Sequence, residues 1–144
     1  MNKAQIRFFN ADITFDFKNK RKISASLLNY SKENLIEAGE INYVFCTDEY
    51  LLDLNKKFLN HDYYTDIISF QSEKDPIGGD IYISLDRVRD NAKNLKLKFQ
   101  DELLRVISHG LLHFMGFKDK TKADQSLMRS KEDELILKIK EAIA

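Results

Sequence analysis

The sequence predicts an α+β fold, with a single mixed β-sheet of about four strands covered by five or so helices in one domain spanning residues 1–144. Three observations predict it. Strand-like segments gather in the first two thirds of the chain, helical patterns alternate with only some of them, and the last third is helical. That order favours helices packed on one sheet over a regular βαβ alternation. The size fits one ordinary domain, and ten Phe and six Tyr within a 43% hydrophobic composition can fill a core without disulfide staples. With one proline, five glycines, no internal repeat and no low-complexity tract, nothing marks a domain boundary.

Gln5–Phe9 and Ile13–Phe17 are expected as strands; in the second, Ile13, Phe15 and Phe17 alternate with polar neighbours, the period of a half-buried strand. From Ile23 through Leu27, Leu28, Leu35 and Ile36 the apolar spacing becomes helical, with a stop near Gly39. Ile41–Cys46 is a strand by its β-branched and aromatic content. Thr47 then caps a helix whose first turn carries Asp48 and Glu49, where the helix dipole favours anions. Tyr50, Leu51, Leu54 and Phe58 give that helix its apolar stripe. Asp66–Phe70 and Asp80–Ser84 are strands separated by a loop containing Pro76, Gly78 and Gly79. A short helix is expected after Ser84, a longer one from about Phe99 to Met115, and a last one from about Ala123 to Ile143. Leu127, Leu135, Ile136, Ile139 and Ile143 supply the buried side of the last helix.

Composition excludes several classes of function. Lysine plus arginine balance aspartate plus glutamate at 23 each, so any nucleic-acid contact must come from a local patch. No stretch approaches the roughly 20 apolar residues of a membrane span, and the N-terminus lacks a basic-then-apolar secretion signal. The single Cys46 cannot form an internal disulfide, which points to a reducing cytoplasm.

The stretch Ser108–Lys120, SHGLLHFMGFKDK, carries the chemistry. On a helix His109 and His113 lie on one face, near Glu102 and Val106. Gly116 can end the helix in a left-handed cap, and the reversing chain then brings Asp119 back towards the two imidazoles. The pattern H-x3-H-x2-G-x2-D on a zincin-like helix offers two nitrogens and one carboxylate oxygen for one Zn2+ ion, with a fourth position left for water. Histidine pairs four apart also arise by chance. Here, however, two of only three histidines fall at ligand spacing, ahead of a helix-ending glycine and a returning carboxylate. Gly110 stands where the zinc peptidase motif H-E-x-x-H has its general base, so a peptidase reading lacks that base. A glycine there leaves space beside the metal or allows close packing on the sheet.

These residues resemble the YbeY endoribonucleases, also described as rRNA maturation factors. His109-Gly110-Leu111-Leu112-His113, Gly116 and Phe117 match that family's metal signature. Leu54-Asn55, Thr65–Phe70, Gly79–Ser84 and Glu102 match further blocks in the same order. Two departures stand out: Asp119 replaces the family's usual third histidine, and Leu59 stands where an arginine is common. The resemblance implies a metal-dependent endoribonuclease specific for single-stranded RNA. It would act in small-subunit ribosomal RNA 3′-end maturation and ribosome quality control, with the small ribosomal subunit as partner and the cytoplasm as location. His109, His113 and Asp119 would be both metal ligands and catalytic residues. Lys118, Lys120 and Lys122 beside the metal loop, and His61, with Lys56 or Lys57, near the missing arginine, are candidates for RNA contacts. Asp66 or Asp80 could act as a second base, or simply bond turn amides. Phe70 and Phe117 could stack bases, or pack in the core. A zincin-like metallopeptidase and a non-catalytic, zinc-stabilised ribosome assembly factor are the alternative functions.

Overall fold

Side chains along a strand point alternately to opposite faces, and the sheet of this protein uses that alternation to separate two cores. The computed structural model describes residues 4–144; residues 1–3 of the expected domain lie outside the described residues. In chain order the elements are β1 (Gln5–Asn10), α1 (Lys20–Glu33), β2 (Ala38–Cys46), α2 (Asp48–Leu59) and β3 (Ile67–Lys74), followed by β4 (Ile77–Ser84), α3 (Leu85–Leu95), α4 (Phe99–Phe114) and α5 (Lys122–Ile143). The four strands form one sheet in the order β1-β2-β4-β3. β2 pairs in parallel with β1 and β4, while β3 and β4 form an antiparallel hairpin. The sheet is therefore mixed and five helices accompany it, as the sequence predicts.

Ile41, Tyr43 and Phe45 of β2, with Ile81 and Ile83 of β4, face the larger core. Helices α1, α3, α4 and α5 cover it through residues such as Leu27, Val88, Leu111 and Leu135. The intervening Ile68, Phe70 and Tyr82 face the other way and pack on Leu51 and Leu54 of α2. Each fully buried Leu or Ile contributes roughly 1.5–3 kcal/mol, so the four-helix face carries most of the stability. One polar contact fixes the register of α4 on the sheet. The buried Tyr43 hydroxyl donates to the Ile107 carbonyl at 2.7 Å, two residues before His109.

Three elements depart from expectation. Ile13–Phe17 is not a strand but an irregular connector. Its period of two arises because Phe15 and Phe17 insert into the core against Phe45, with ring centroids 5.3 and 5.1 Å away. The Asn10 side-chain amide donates to the Phe15 carbonyl at 2.9 Å, in place of a strand ladder. Helix α1 ends at Glu33, well short of Gly39, which lies inside β2. The reversal is made by Leu35, a non-glycine residue at φ 59, with Ile36 N–H donating to the Ser31 carbonyl at 3.0 Å. Finally, Gly78 and Gly79 belong to β4 rather than to a loop, and the hairpin turns at Asp75–Pro76.

Candidate metal centre

Helix α4 is amphipathic in an unusual way, because its inward stripe mixes Leu103, Ile107 and Leu111 with the polar Glu102, Ser108 and His109. Its C-terminal end is built by backbone hydrogen bonds. Gly116 takes φ 103, its N–H donates to the His113 carbonyl at 3.0 Å, and Phe117 N–H donates to the Leu112 carbonyl at 3.0 Å. This pair of bonds is a Schellman cap, and it turns the chain back so that Asp119 returns to the helix face. The turn is then anchored. Gln125 donates to the Asp119 carbonyl at 3.0 Å, and the Thr121 hydroxyl caps α5 by accepting from Asp124 N–H at 3.0 Å.

The three predicted ligands converge. His109 Nε2 and His113 Nε2 are 3.0 Å apart, and Asp119 Oδ2 is 3.3 Å from the first and 3.2 Å from the second. Ligands about 2.0–2.1 Å from a tetrahedral zinc ion stand about 3.3 Å from one another. The triangle thus has the dimensions of one face of such a tetrahedron, and its donor types suit the ion. This His109–His113–Asp119 group could hold a metal ion.

The sequence reading missed the residue that backs this triangle. Glu132 of α5 is 5% exposed, and its Oε2 accepts from His109 Nδ1 at 2.7 Å. Its Oε1 accepts from Arg105 Nη1 at 2.9 Å, and Arg105 Nη2 reaches Asp133 at 2.8 Å. Burial alone would raise the Glu132 carboxyl; the hydrogen bonds from His109 and Arg105 outweigh it and hold the group below its ordinary range. Burial opposes a charged His109, but the Glu132 hydrogen bond, followed by the charges of Glu132, Asp119 and Asp66, raises it. A proton held on Nδ1 leaves the Nε2 lone pair facing the triangle, the carboxylate–histidine–metal arrangement. One signal was present in the sequence. Glu132 interrupts the stripe Met128, Leu135, Ile136, Ile139, where a carboxylate needs a buried partner.

Two cavities meet the triangle. One, of about 290 Å³, is lined by Asp66, Glu102, Arg105, His109, Arg129 and Glu132, among others. Glu102 is 5% exposed, and its Oε1 is shut off from solvent without a hydrogen-bond partner. An arrangement of that kind costs about 1–3 kcal/mol. Burial, then the charge of Asp66, pushes the Glu102 carboxyl above its ordinary range. The other cavity, of about 620 Å³, is an open cleft that includes His113, Phe117, Lys118, Lys74 and the exposed Leu35.

The other candidates divide clearly. Lys118 lines the open cleft, whereas Lys120 and Lys122 are exposed on the metal loop and the first turn of α5. His61 lies outside both cavities, with Nδ1 3.0 Å from the Tyr63 hydroxyl and its ring stacked on Tyr63. Leu59 ends α2 and is half-exposed; Lys56 and Lys57 pair with Asp62 and Asp53. Asp66 lines the smaller cavity, but Asp80 instead accepts from Asn42 in the sheet at 3.1 Å. Phe70 packs edge-on to Tyr82 and Phe58, and Phe117 packs against the main core while lining the cleft. Gly110 does not open space at the metal. A Cβ there would lie 3.1 Å from Ile67 and Ile81, so the glycine lets α4 press closely on the sheet.

Comparison with known proteins identifies the family. The family model described as Endoribonuclease YbeY matches residues 5–140. The chain is 50% identical over 131 residues to the Endoribonuclease YbeY of Flavobacterium psychrophilum, covering 88% of this chain and 91% of that protein. It is 47% identical over 135 residues to the protein of the same name from Cytophaga hutchinsonii, covering 92% and 94% of the two. The Porphyromonas gingivalis counterpart is 45% identical over 141 residues, covering 97% and 93%. In three dimensions the chain is similar to a Thermotoga maritima protein solved in solution, with a TM-score of 0.66 at 23% identity. That likeness covers 93% of this chain and 88% of the other, and it shows the fold.

Proposed function

The chain belongs to the YbeY endoribonuclease family, and on that premise we propose that it is a zinc-dependent endoribonuclease that cuts single-stranded RNA. The substrate we assign is ribosomal RNA of the small subunit, matured at its 3′ end, with the small ribosomal subunit as partner and the cytoplasm as the place of action. No helix among the described residues is long and apolar enough to cross a membrane.

The observation that carries this reading is the His109–His113–Asp119 triangle with Glu132 behind it. His109, His113 and Asp119 would hold the zinc ion, which would supply Lewis-acid chemistry at a phosphoryl group. The chain supplies the rest. Glu132 keeps the proton on His109 Nδ1, which fixes the ring and its tautomer. Asp119 adds a negative charge that a third histidine would not, making the metal a weaker Lewis acid than a three-imidazole site. Lys118, in the open cleft beside His113, is placed to meet the RNA backbone. Gly110 can neither take nor give a proton, so the chain lacks the glutamate of a zinc peptidase at that position, where close packing on Ile67 and Ile81 crowds any side chain.

Single-turnover assays with single-stranded RNA and with casein test the reading. RNA is expected to be cleaved and casein left intact; a chelator or His113→Ala should lower RNA cleavage by at least about 10³-fold. Casein cleavage without RNA cleavage would establish the peptidase alternative. RNA binding that survives His113→Ala, with no cleavage by either protein, would establish a non-catalytic assembly factor.

A further inference from the structure

The smaller cavity, beside His109, contains a group that the metal centre does not use. Glu132 and Arg105 satisfy one another and their neighbours there. Glu102 does not: it is 95% buried, its carboxyl joins no hydrogen bond or ion pair among the described residues, and it lines the cavity. Asp66, held at one oxygen by Asn91 at 3.3 Å, lines the same space. Arg129, exposed on α5, completes the rim and forms no ion pair among the described residues. A buried unpartnered carboxyl in a native fold calls for an explanation, and a ligand that donates hydrogen bonds to it provides one.

Charge decides the class of ligand. Three carboxylates (Asp66, Glu102, Glu132) oppose a bare anion, and two guanidiniums (Arg105, Arg129) oppose a bare cation. What suits the lining is a neutral, hydroxyl-rich group attached to a phosphate. A volume of about 290 Å³ lies near the lower end of the roughly 300–1,000 Å³ of small-ligand pockets, which has room for one sugar or base. Because His109 lines both the cavity and the metal triangle, its occupant would sit next to the reacting phosphate.

We propose that this cavity is a ribonucleotide subsite, in which Glu102 and Asp66 hydrogen-bond ribose hydroxyls while Arg129 meets the adjoining phosphate. The inference rests on the endoribonuclease reading. It adds a reason for RNA to be preferred over DNA, since the 2′-hydroxyl is the group that tells the two apart.

The test uses the full-length, zinc-loaded protein and two fluorescent single strands of one sequence, an oligoribonucleotide and its all-deoxy counterpart. Affinities are read by anisotropy, stability by thermal unfolding and metal content by elemental analysis. Wild type should prefer RNA. Glu102→Leu should cut that preference at least about fivefold while raising the melting temperature, because an unsatisfied buried group has been removed. Arg129→Ala should weaken both strands about equally and lower the salt slope by about 0.7. Should Glu102→Leu not fold, Glu102→Gln takes its place, and its preference should fall at least about twofold. An unchanged preference with one zinc retained overturns the subsite. So does a lowered melting temperature with the preference intact, which makes Glu102 structural. A second equivalent of zinc or magnesium that Glu102→Leu loses overturns it in favour of a cation site. A wild type that neither binds nor cleaves RNA removes the endoribonuclease reading itself, and the subsite with it.

Discussion

His109 and His113 are the same residue one helical turn apart, yet the fold holds them differently. His109 on α4 faces α5, where Glu132 accepts a hydrogen bond from its Nδ1 at 2.7 Å and Arg105 secures the far carboxylate oxygen. His113 sits in the last turn of α4. Its polar contacts among the described residues are those of Nε2 with His109 and Asp119. Asp119 rides on a loop held by the Gly116 cap and by Gln125. One half of the centre is therefore buttressed by a buried ion network between helices, and the other by backbone geometry. The difference predicts that metal affinity and fold stability should be coupled on the His109 side and separable on the loop side.

Removing Asp119 should break the comparison most visibly. Asp119→Ala takes away a proposed ligand from a half-exposed loop, so metal affinity should fall by more than about 100-fold, beyond the usual loss from an outer-shell residue. The unfolding free energy of the metal-free protein should stay within about 0.5 kcal/mol of wild type. Asp119→His should recover most of the affinity, because imidazole is an equally ordinary zinc ligand. Competition with a fluorescent chelator and urea unfolding measure the two quantities. Unchanged zinc affinity in Asp119→Ala would mean that the third ligand lies elsewhere.

Glu132→Ala should show the opposite coupling. Metal affinity should fall about 10–100-fold, and the metal-free protein should also lose about 3 kcal/mol, because Arg105 loses a buried partner. Glu132→Gln, which keeps an acceptor of the same size, should recover part of both. A Glu132→Ala protein with wild-type metal-free stability would show that the network between α4 and α5 positions His109 without supporting the fold.

These two residues also mark how far the sequence could be read. Asp119 was legible because helix period, a capping glycine and a loop reversal are all local, spanning only His109 to Asp119. Thr47 as a cap and Phe99 to Met115 as a helix were legible for the same reason, and the Thr47 hydroxyl does accept from Tyr50 N–H at 3.2 Å. Glu132 stands 23 residues from His109, and only the packing of α5 on α4 brings them together. Helical period puts Glu102 on the metal face, but its missing partner depends on what surrounds it in space. Leu35 reads as part of the helical stripe, yet it lies beyond α1 with a left-handed backbone that its residue type rarely adopts. Ile13–Phe17 misled because alternating aromatics anchor an extended connector as well as they face a strand.

Gly116 tests whether backbone geometry alone sustains the loop half. Its φ of 103 strains any other residue, yet nothing lies within 4 Å of where a Cβ would stand. Gly116→Ala should therefore cost only the conformational term, about 1–2 kcal/mol, with a loss of metal affinity of roughly tenfold or less. A structure of the variant should show Asp119 displaced and the His109–Glu132 contact unchanged. Displacement of both would mean that the two halves move as one.

Lys118 should give the smallest effect and the sharpest contrast with the Glu132 side of the centre. It is exposed and lines the open cleft without an ion pair among the described residues, so its removal leaves no buried charge behind. Lys118→Ala should change neither zinc content nor stability measurably. Its consequence should lie in the dependence of RNA affinity on salt, where losing one phosphate contact lowers the slope of log K against log salt by about 0.7 for a single strand. Near physiological salt that amounts to a few-fold weaker binding, the same for every sequence, since a phosphate contact carries no base information. A Lys118→Ala slope identical to wild type would place the RNA backbone away from the open cleft, leaving the His109 side as its route to the metal.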